Sequence, residues 1–248
     1  IAGTVMEERG EPLIVVQVRV LLPTLVAGQY RLIQTGNMPS TDDRGVFRIS
    51  LLEPGGYVAG VISTRAVVPL SRFEQVQKAR ASGDLEWTRQ FDLSMFGPSG
   101  GVRVGSFVMQ AGSRGELGGG ASDAPMILPV TERGPLFVYP TTYFPGTATL
   151  ASAATLTLGS GEERGNIDFQ LKPVPSDSVS GTVAGPGGPS ANTSLYLLAA
   201  GSDYLARESS FETATTISDA AGAFTFLGVT PGQYLVRVLR PPPRPVST

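Results

Sequence analysis

The sequence of 248 residues predicts an all-β fold of two tandem, small β-sandwiches, the first of which carries a long insert with one short helix. Three observations support this prediction. Residues 41–61 recur without a gap as residues 218–238. Both copies alternate apolar and polar side chains with the period of a half-buried strand. The composition, with 31 Gly, 20 Pro and 41% hydrophobic residues, is that of a turn-rich but well-packed β protein.

The repeated unit begins upstream of this stretch, with a predicted strand in each copy. Ile1-Ala-Gly-Thr-Val5 matches Val179-Ser-Gly-Thr-Val183. In the first copy residues 13–22 are predicted as the second strand, and residues 28–34 as the third. Val16, Val18 and Val20 would lie on the buried face of the second strand, because side chains two positions apart share a face.

A tight turn comes next in each copy, and it is marked by an aspartate followed by a glycine three residues later. The residues are Asp42 with Gly45 in the first copy, and Asp219 with Gly222 in the second. The carboxylate can cap backbone N–H groups of the turn, and glycine accepts a positive φ without a steric clash. Strands are predicted directly after the turns, at residues 46–50 and 223–227.

A Pro-Gly pair follows these strands and precedes another strand-like run. Proline presets φ and glycine lets the chain reverse at little steric cost, so we expect the flanking strands to form a hairpin. The pairs are Pro54-Gly55 before residues 57–61, and Pro231-Gly232 before residues 234–238.

These motifs together resemble the carboxypeptidase regulatory-like domain, which is a small transthyretin-like β-sandwich. The resemblance covers about residues 1–62 and 177–240. Residues 137–173 are similar to large multi-repeat secreted proteins that are common in soil bacteria. The resemblance implies an exported protein with a transthyretin-like or immunoglobulin-like fold. It implies no chemistry, because such modules are joined to carboxypeptidases, outer-membrane receptors and surface proteins alike.

The predicted domain boundaries follow from the repeat. The first sandwich would span residues 1–175 with an insert at 65–135, the second would span 176–240, and 241–248 would be a proline-rich tail. Residues 172–176, with two prolines, are predicted as a stiff linker. In the insert, residues 71–82 are predicted as a helix on the surface of the first sandwich, with Ser71 as its N-cap. Residues 102–109 are a candidate strand.

Composition excludes several classes of function. The chain has no Cys and no His, so disulfides, thiolate chemistry and a serine–histidine triad are excluded, even though Gly97, Ser99 and Gly101 have the spacing of a nucleophile elbow. A net charge of −2 argues against a nucleic-acid partner. No apolar run approaches the roughly 20 residues of a membrane helix, which argues against membrane insertion. We expect no enzyme activity and no cofactor.

Adjacent acidic residues offer a weak alternative to turn capping. Glu7-Glu8, Asp42-Asp43 and Glu162-Glu163 lack any supporting catalytic motif. Asp42 and Asp43 could join backbone carbonyls around Ca²⁺. The second copy keeps only Asp219, however, so capping accounts for both copies with one cause.

Aromatic residues are the candidates for ligand binding. Tyr139, Tyr143 and Phe144 cluster around two prolines, and Trp87 is the single tryptophan. Such rings could stack on a polysaccharide or a proline-rich peptide. The alternative is that they fill the core of the first sandwich.

Three hypotheses of function follow. The first is a structural spacer or assembly unit, which contacts copies of itself or neighbouring domains of the same chain through exposed strand edges and can form extracellular fibres. The second is a polysaccharide- or peptide-binding module. The third is an accessory domain of a larger enzyme or outer-membrane receptor. The chain begins inside its first predicted strand, so we expect it to be a piece of a longer protein.

Overall fold

The computed structural model of the chain describes residues 1–26, 28–83, 101–111, 134–200 and 213–238. These residues are predominantly β, with several sheets and one α-helix, as expected for an all-β protein. We refer to residues 1–61 as the first copy and to residues 179–238 as the second copy.

The elements are numbered along the described residues. Six strands precede the helix: β1 (Ala2–Glu7), β2 (Arg19–Val26), β3 (Gln29–Thr35), β4 (Val46–Arg48), β5 (Gly55–Val61) and β6 (Arg65–Pro69). The helix, α1, spans Leu70–Ser82. Six strands lie between the helix and the second copy: β7 (Val102–Val104), β8 (Phe107–Ala111), β9 (Leu136–Val138), β10 (Thr142–Tyr143), β11 (Leu156–Leu158) and β12 (Phe169–Leu171). Seven strands follow: β13 (Val174–Thr182), β14 (Ala184–Gly185), β15 (Gly188–Pro189), β16 (Ser194–Ala199), β17 (Ala214–Ile217), β18 (Ala223–Val229) and β19 (Tyr234–Val238).

The first copy contributes strands to two sheets. In one sheet β1 lies between β4, which is antiparallel to it, and β12, which is parallel to it. In the other, β2 lies between β3 and β5, and the second edge of β5 pairs with both β10 and β11. Side chains of both sheets form one hydrophobic cluster, which includes Phe47 and Phe169 from the first sheet and Ala59 and Leu156 from the second.

The second copy repeats the β1–β4 and β2–β5 pairings in the same register. Gly3 of β1 lies opposite Phe47 of β4, and Gly181 of β13 lies opposite Phe224 of β18. Val20 of β2 opposes Ala59 of β5, and their counterparts Leu197 and Val236 are likewise opposite. The repeat in the sequence is therefore a repeat in structure.

The strands on either side of each Pro-Gly pair do not form the expected hairpin. β4 pairs with β1 whereas β5 pairs with β2, and in the second copy β18 pairs with β13 whereas β19 pairs with β16. The chain between β4 and β5, residues 49–54, therefore crosses from one sheet to the other. This crossing places the apolar faces of both strands against one core from opposite sides, which a hairpin within a single sheet would not do.

The strands of the insert join the sheet of the second copy, although the insert was expected to elaborate the first. The six-stranded sheet has the order β19-β16-β17-β6-β8-β7, in which β6 runs parallel to β17. Helix α1 packs Val76 against Val68 of β6 and Ile217 of β17, so its apolar side lies against the same sheet rather than on the first copy. The helix begins at Leu70, one residue before its expected cap, Ser71.

Two further expectations about local structure were wrong. Residues 174–176, expected in a linker, are the start of β13 and pair with β9 before β13 continues along β18, so the expected boundary at 175/176 falls inside a strand. The second strand begins at Arg19 rather than Leu13, because Val15 has a left-handed φ of 58° that interrupts an extended run. Val16, Val18 and Val20 are nevertheless all buried, as expected.

Candidate functional site

The aspartate turns have the same hydrogen bonds in both copies. Asp42 Oδ1 accepts bonds from the N–H groups of Arg44 (3.0 Å) and Val46 (2.8 Å). Asp219 Oδ1 accepts bonds from the N–H groups of Ala221 (2.9 Å) and Ala223 (2.8 Å). The carboxylate thus caps the backbone donors that the turn would otherwise leave without a partner.

The glycine of each turn is required by both dihedral angle and space. Gly45 has a φ of 73° and Gly222 a φ of 75°. A Cβ atom on Gly45 would lie 2.5 Å from the carbonyl oxygen of Val5, and one on Gly222 would lie 2.4 Å from that of Val183. Val5 lies in β1 and Val183 directly follows β13, and both contacts are with backbone atoms, so no side-chain movement could relieve the clash.

Asp42 carries out this capping as an ionised group. Its hydrogen bond from the Val46 N–H, together with the neighbouring Arg44, holds the pKa of the carboxyl below its usual value. Oδ2 also forms an ion pair with Arg44 Nη2 at 3.0 Å. Both oxygens are therefore engaged within the turn. Within the described part of the chain no three His, Cys, Asp or Glu side chains come together in a way that could hold a metal ion.

A threonine hydroxyl beside the turn forms two backbone hydrogen bonds that we did not predict from the sequence. Thr41 Oγ1 donates to the carbonyl of Leu13 at 2.6 Å and accepts from the Val16 N–H at 2.9 Å. Ser218 makes the equivalent bonds to Ser190 and Thr193 in the second copy. The sequence signal was available, since a hydroxyl residue precedes the aspartate in both copies.

Each Pro-Gly crossing is closed by a tyrosine hydroxyl. Tyr57 donates to the carbonyl oxygen of Glu53, and Tyr234 donates to that of Thr230 at 2.7 Å. A tyrosine that bonds back to the backbone four residues upstream is a known corner device of β-sandwiches. The three intervening residues include Pro54-Gly55 in the first copy and Pro231-Gly232 in the second, and neither Gly55 nor Gly232 has a left-handed φ.

The aromatic candidates for ligand binding lie in or against the core. Tyr139 and Tyr143 are buried, and the partly buried Phe144 meets Phe169 edge-on with ring centroids 6.2 Å apart. Burial, together with a hydrogen bond to Glu7, raises the pKa of the Tyr139 hydroxyl. Little ring face is left for stacking on a sugar or a peptide. Trp87 and Ser99 lie outside the described residues.

Arg65 is a buried cation at the junction of the two copies. Its Nη2 donates to Ser63 Oγ at 2.9 Å and to the carbonyl oxygen of Tyr139 at 2.7 Å. Its aliphatic stem lies against Gly228 of β18, where a Cβ atom would be 2.9 Å from the Arg65 Cδ. Burial lowers the pKa of the guanidinium to about 10. Arg65 therefore joins residues that precede and follow the insert with residues of the second copy.

A surface pocket of about 240 Å³ lies beside the first residue. It is bordered by apolar side chains such as Leu51 and Leu158, and by charged groups of residues 162–164. Glu163 forms an ion pair with Arg48, and Glu162 lies 3.9 Å from Arg164. Because these charges pair with one another, they do not converge on the pocket in the way that binding sites require.

No described helix is both long enough and apolar enough to cross a membrane. Comparison with known proteins gives no match, whether to family models, to curated proteins or to solved structures.

Proposed function

We propose that the chain is a non-catalytic structural module of an exported bacterial surface protein, in which two transthyretin-like β-sandwiches act as a rigid spacer or assembly unit. Support for the transthyretin-like assignment comes from the repeated strand pairing, the aspartate turns and the tyrosine corners, which recur at matching positions. Support for a structural role comes from the way in which the two copies are joined.

The observation that carries the proposal is the continuous joint between the copies. Three residues, 62–64, separate β5 of the first copy from β6 in the sheet of the second, and both Ser63 and Thr64 are buried. The chain passes from the first copy to the second again between β12 and β13, which are separated by only two residues, 172 and 173. Arg65 adds hydrogen bonds at the same junction. Such a joint resists bending, because movement would break strand pairing and expose a buried charge.

A distance measurement between the copies tests this rigidity. The chain lacks cysteine, so Asp43→Cys and Ala220→Cys introduce two unique labelling sites at equivalent exposed positions of the aspartate turns. Spin labels at these two sites should give one narrow distance distribution by pulsed electron paramagnetic resonance. Singly labelled chains serve as controls for contacts between molecules. A broad or bimodal distribution would contradict a rigid spacer.

Assembly is the second part of the proposal. The six-stranded sheet ends in β19 on one side and in β7 on the other, and exposed strand edges can pair with another chain. Sedimentation across a wide concentration range should show growth into oligomers or fibres. A monodisperse monomer at high concentration would contradict assembly through copies of this chain alone.

A further inference from the structure

The edge strand β19 carries apolar side chains that are half-exposed. The exposed fractions are 47% for Leu235, 47% for Val236 and 40% for Val238. β16 pairs with one side of β19, and no strand among the residues that the structure describes pairs with the other side. Leu235 and Val236 point to opposite faces of the sheet, because neighbouring side chains of a strand alternate. Both faces are therefore partly open to water.

The equivalent strand of the first copy is covered. Val58, Ala59 and Val61 of β5 correspond to Leu235, Val236 and Val238, and all three are buried. The difference comes from residues 142–158, which we call the covering segment. It runs along the outer edge of β5, with β10 at one end and β11 at the other.

The covering segment fills both faces of this edge with apolar side chains. Tyr143, Leu150 and Ala153 pack in the cluster that contains Val58 on one face. Leu156 and Leu158 pack in the cluster that contains Tyr57 and Ala59 on the other. The first copy thus shows what a completed edge of this type requires.

The backbone of β19 is available for the same pairing. In the first copy the carbonyl of Ala59 accepts a hydrogen bond from Phe144 N–H at 2.9 Å on the outer edge. Val236 holds the place of Ala59. On the inner side Ala200 N–H donates to the carbonyl of Gln233, and the alternation of an antiparallel ladder then directs the N–H and C=O groups of Val236 outward.

One residue position differs between the edges of β5 and β19, and it determines which side chain is favoured in a strand that pairs with β19. Tyr143 lies opposite Gly60 in the first copy, where a Cβ atom would be only 2.8 Å from its ring. Arg237, which is exposed, occupies the position of Gly60 in β19. A ring placed as that of Tyr143 is would overlap the Cβ of Arg237, whereas a carboxylate directly across the strand pair would be favoured by the guanidinium.

We propose that β19 is an acceptor edge for an extended segment of a neighbouring polypeptide. The segment would add antiparallel to β19, place apolar side chains on both faces as the covering segment does, and carry an acidic residue opposite Arg237. This proposal rests on the structural role proposed above and supplies its contact surface.

A peptide titration tests the proposal on the full chain. The probe is a fluorescent synthetic peptide with the sequence of residues 142–158 and the change Tyr143→Glu, followed by fluorescence anisotropy. We expect saturable binding that Val236→Glu weakens at least about tenfold, because a charge would enter the apolar contact. Ile33 is a comparably exposed apolar residue on the edge strand β3, so Ile33→Glu is the matched control and should bind the peptide as the parent does. The unchanged peptide, with Tyr143, should bind more weakly, and Arg237→Ala should remove that preference.

Three results would overturn the acceptor edge. One is the absence of binding. Another is binding that Val236→Glu leaves unchanged, since the peptide would then enter elsewhere, for example beside β5. The third is strong protection of the Val236 amide from hydrogen exchange without peptide, since residues of the same chain would then cover the edge. If the chain is rigid and assembles but does not bind the peptide, only the acceptor edge is contradicted. If the joint between the copies is flexible, only the proposed spacer is contradicted.

Discussion

Gly3 and Gly181 hold the same place in the two copies, yet their surroundings differ. A Cβ atom on Gly3 would lie 2.1 Å from the carbonyl oxygen of Ile167, just before β12. A Cβ atom on Gly181 would lie 2.8 Å from the ring of Phe224. The first contact is with backbone that pairs with β1, and the second is with the end of a side chain. The space around this glycine therefore depends on whether another backbone segment lies beside the first strand of the copy.

We expect Gly3→Ala to be far more destabilising than Gly181→Ala. The backbone of Ile167 cannot move without breaking the β1–β12 pairing, so Gly3→Ala should cost about 3 kcal/mol. The Phe224 ring can shift, so Gly181→Ala should cost about 1 kcal/mol. Urea denaturation of both variants measures the difference. Equal losses would show that Gly3 is not held against residues 167–171.

Asp42 gives the stability a dependence on pH in the acid range. Its folded-state pKa lies below its usual value of 3.8, so the stabilisation from the ionised carboxylate is present above pH 3.8 and is lost as the pH falls through the folded-state pKa. Asp42→Asn should therefore lower the free energy of unfolding near neutral pH, and the gap to the parent should close below about pH 4. Asp43→Asn is the matched control, because Asp43 accepts none of the turn bonds. A gap that persists at low pH would exclude an electrostatic origin.

At the scale of single elements, the tyrosine corners are the sharpest test of the crossing between sheets. Tyr57→Phe should cost about 1 kcal/mol, because the Glu53 carbonyl loses its donor, and Tyr234→Phe should cost less because Tyr234 is less buried. Chemical denaturation measures both changes. If the strands formed hairpins instead, neither hydroxyl would matter for stability.

Local patterns predicted which residues form strands, but not which strands are neighbours. Alternation of apolar residues predicted most strands of both copies, because burial with a period of two depends only on neighbouring positions in the sequence. Partners are set by contacts between distant residues. The pairing of β6 with β17 places Arg65 opposite Ala214, and no local sequence pattern near either residue predicts this pairing. The Pro-Gly pairs predicted hairpins for the same reason, since a hairpin and a crossing between sheets look alike in sequence.

The candidate sites were partly visible in the sequence. The aspartate and glycine of each turn were found because the repeat marks them twice. The hydroxyl of Thr41 and the corner bond of Tyr57 also recur at matching positions, so a closer reading of the repeat could have found them. Arg65 gave no signal, because an arginine beside a run of valines is typical of an edge strand with an exposed end. Its burial follows from the insert, which places it between the two copies.

At the scale of the whole molecule, we expect the two copies to unfold together. Strands β6 and β13 and the side chain of Arg65 connect them, so loss of either copy would leave apolar strands and a buried cation without their partners. Calorimetry should show a single transition in which the calorimetric and van't Hoff enthalpies agree. Two resolved transitions would show that the copies are independent domains.

The parallel pairing of β6 with β17 also constrains how the protein is made. Residues 65–69 leave the ribosome well before residues 214–217, which pair with them. At the usual pace of translation this interval lasts on the order of ten seconds. During that time β6 can pair with β8 but not with β17, so one edge of a strand whose Val67 and Val68 end up fully buried stays open. The nascent polypeptide must therefore be kept from premature collapse or aggregation until most of it has been synthesised.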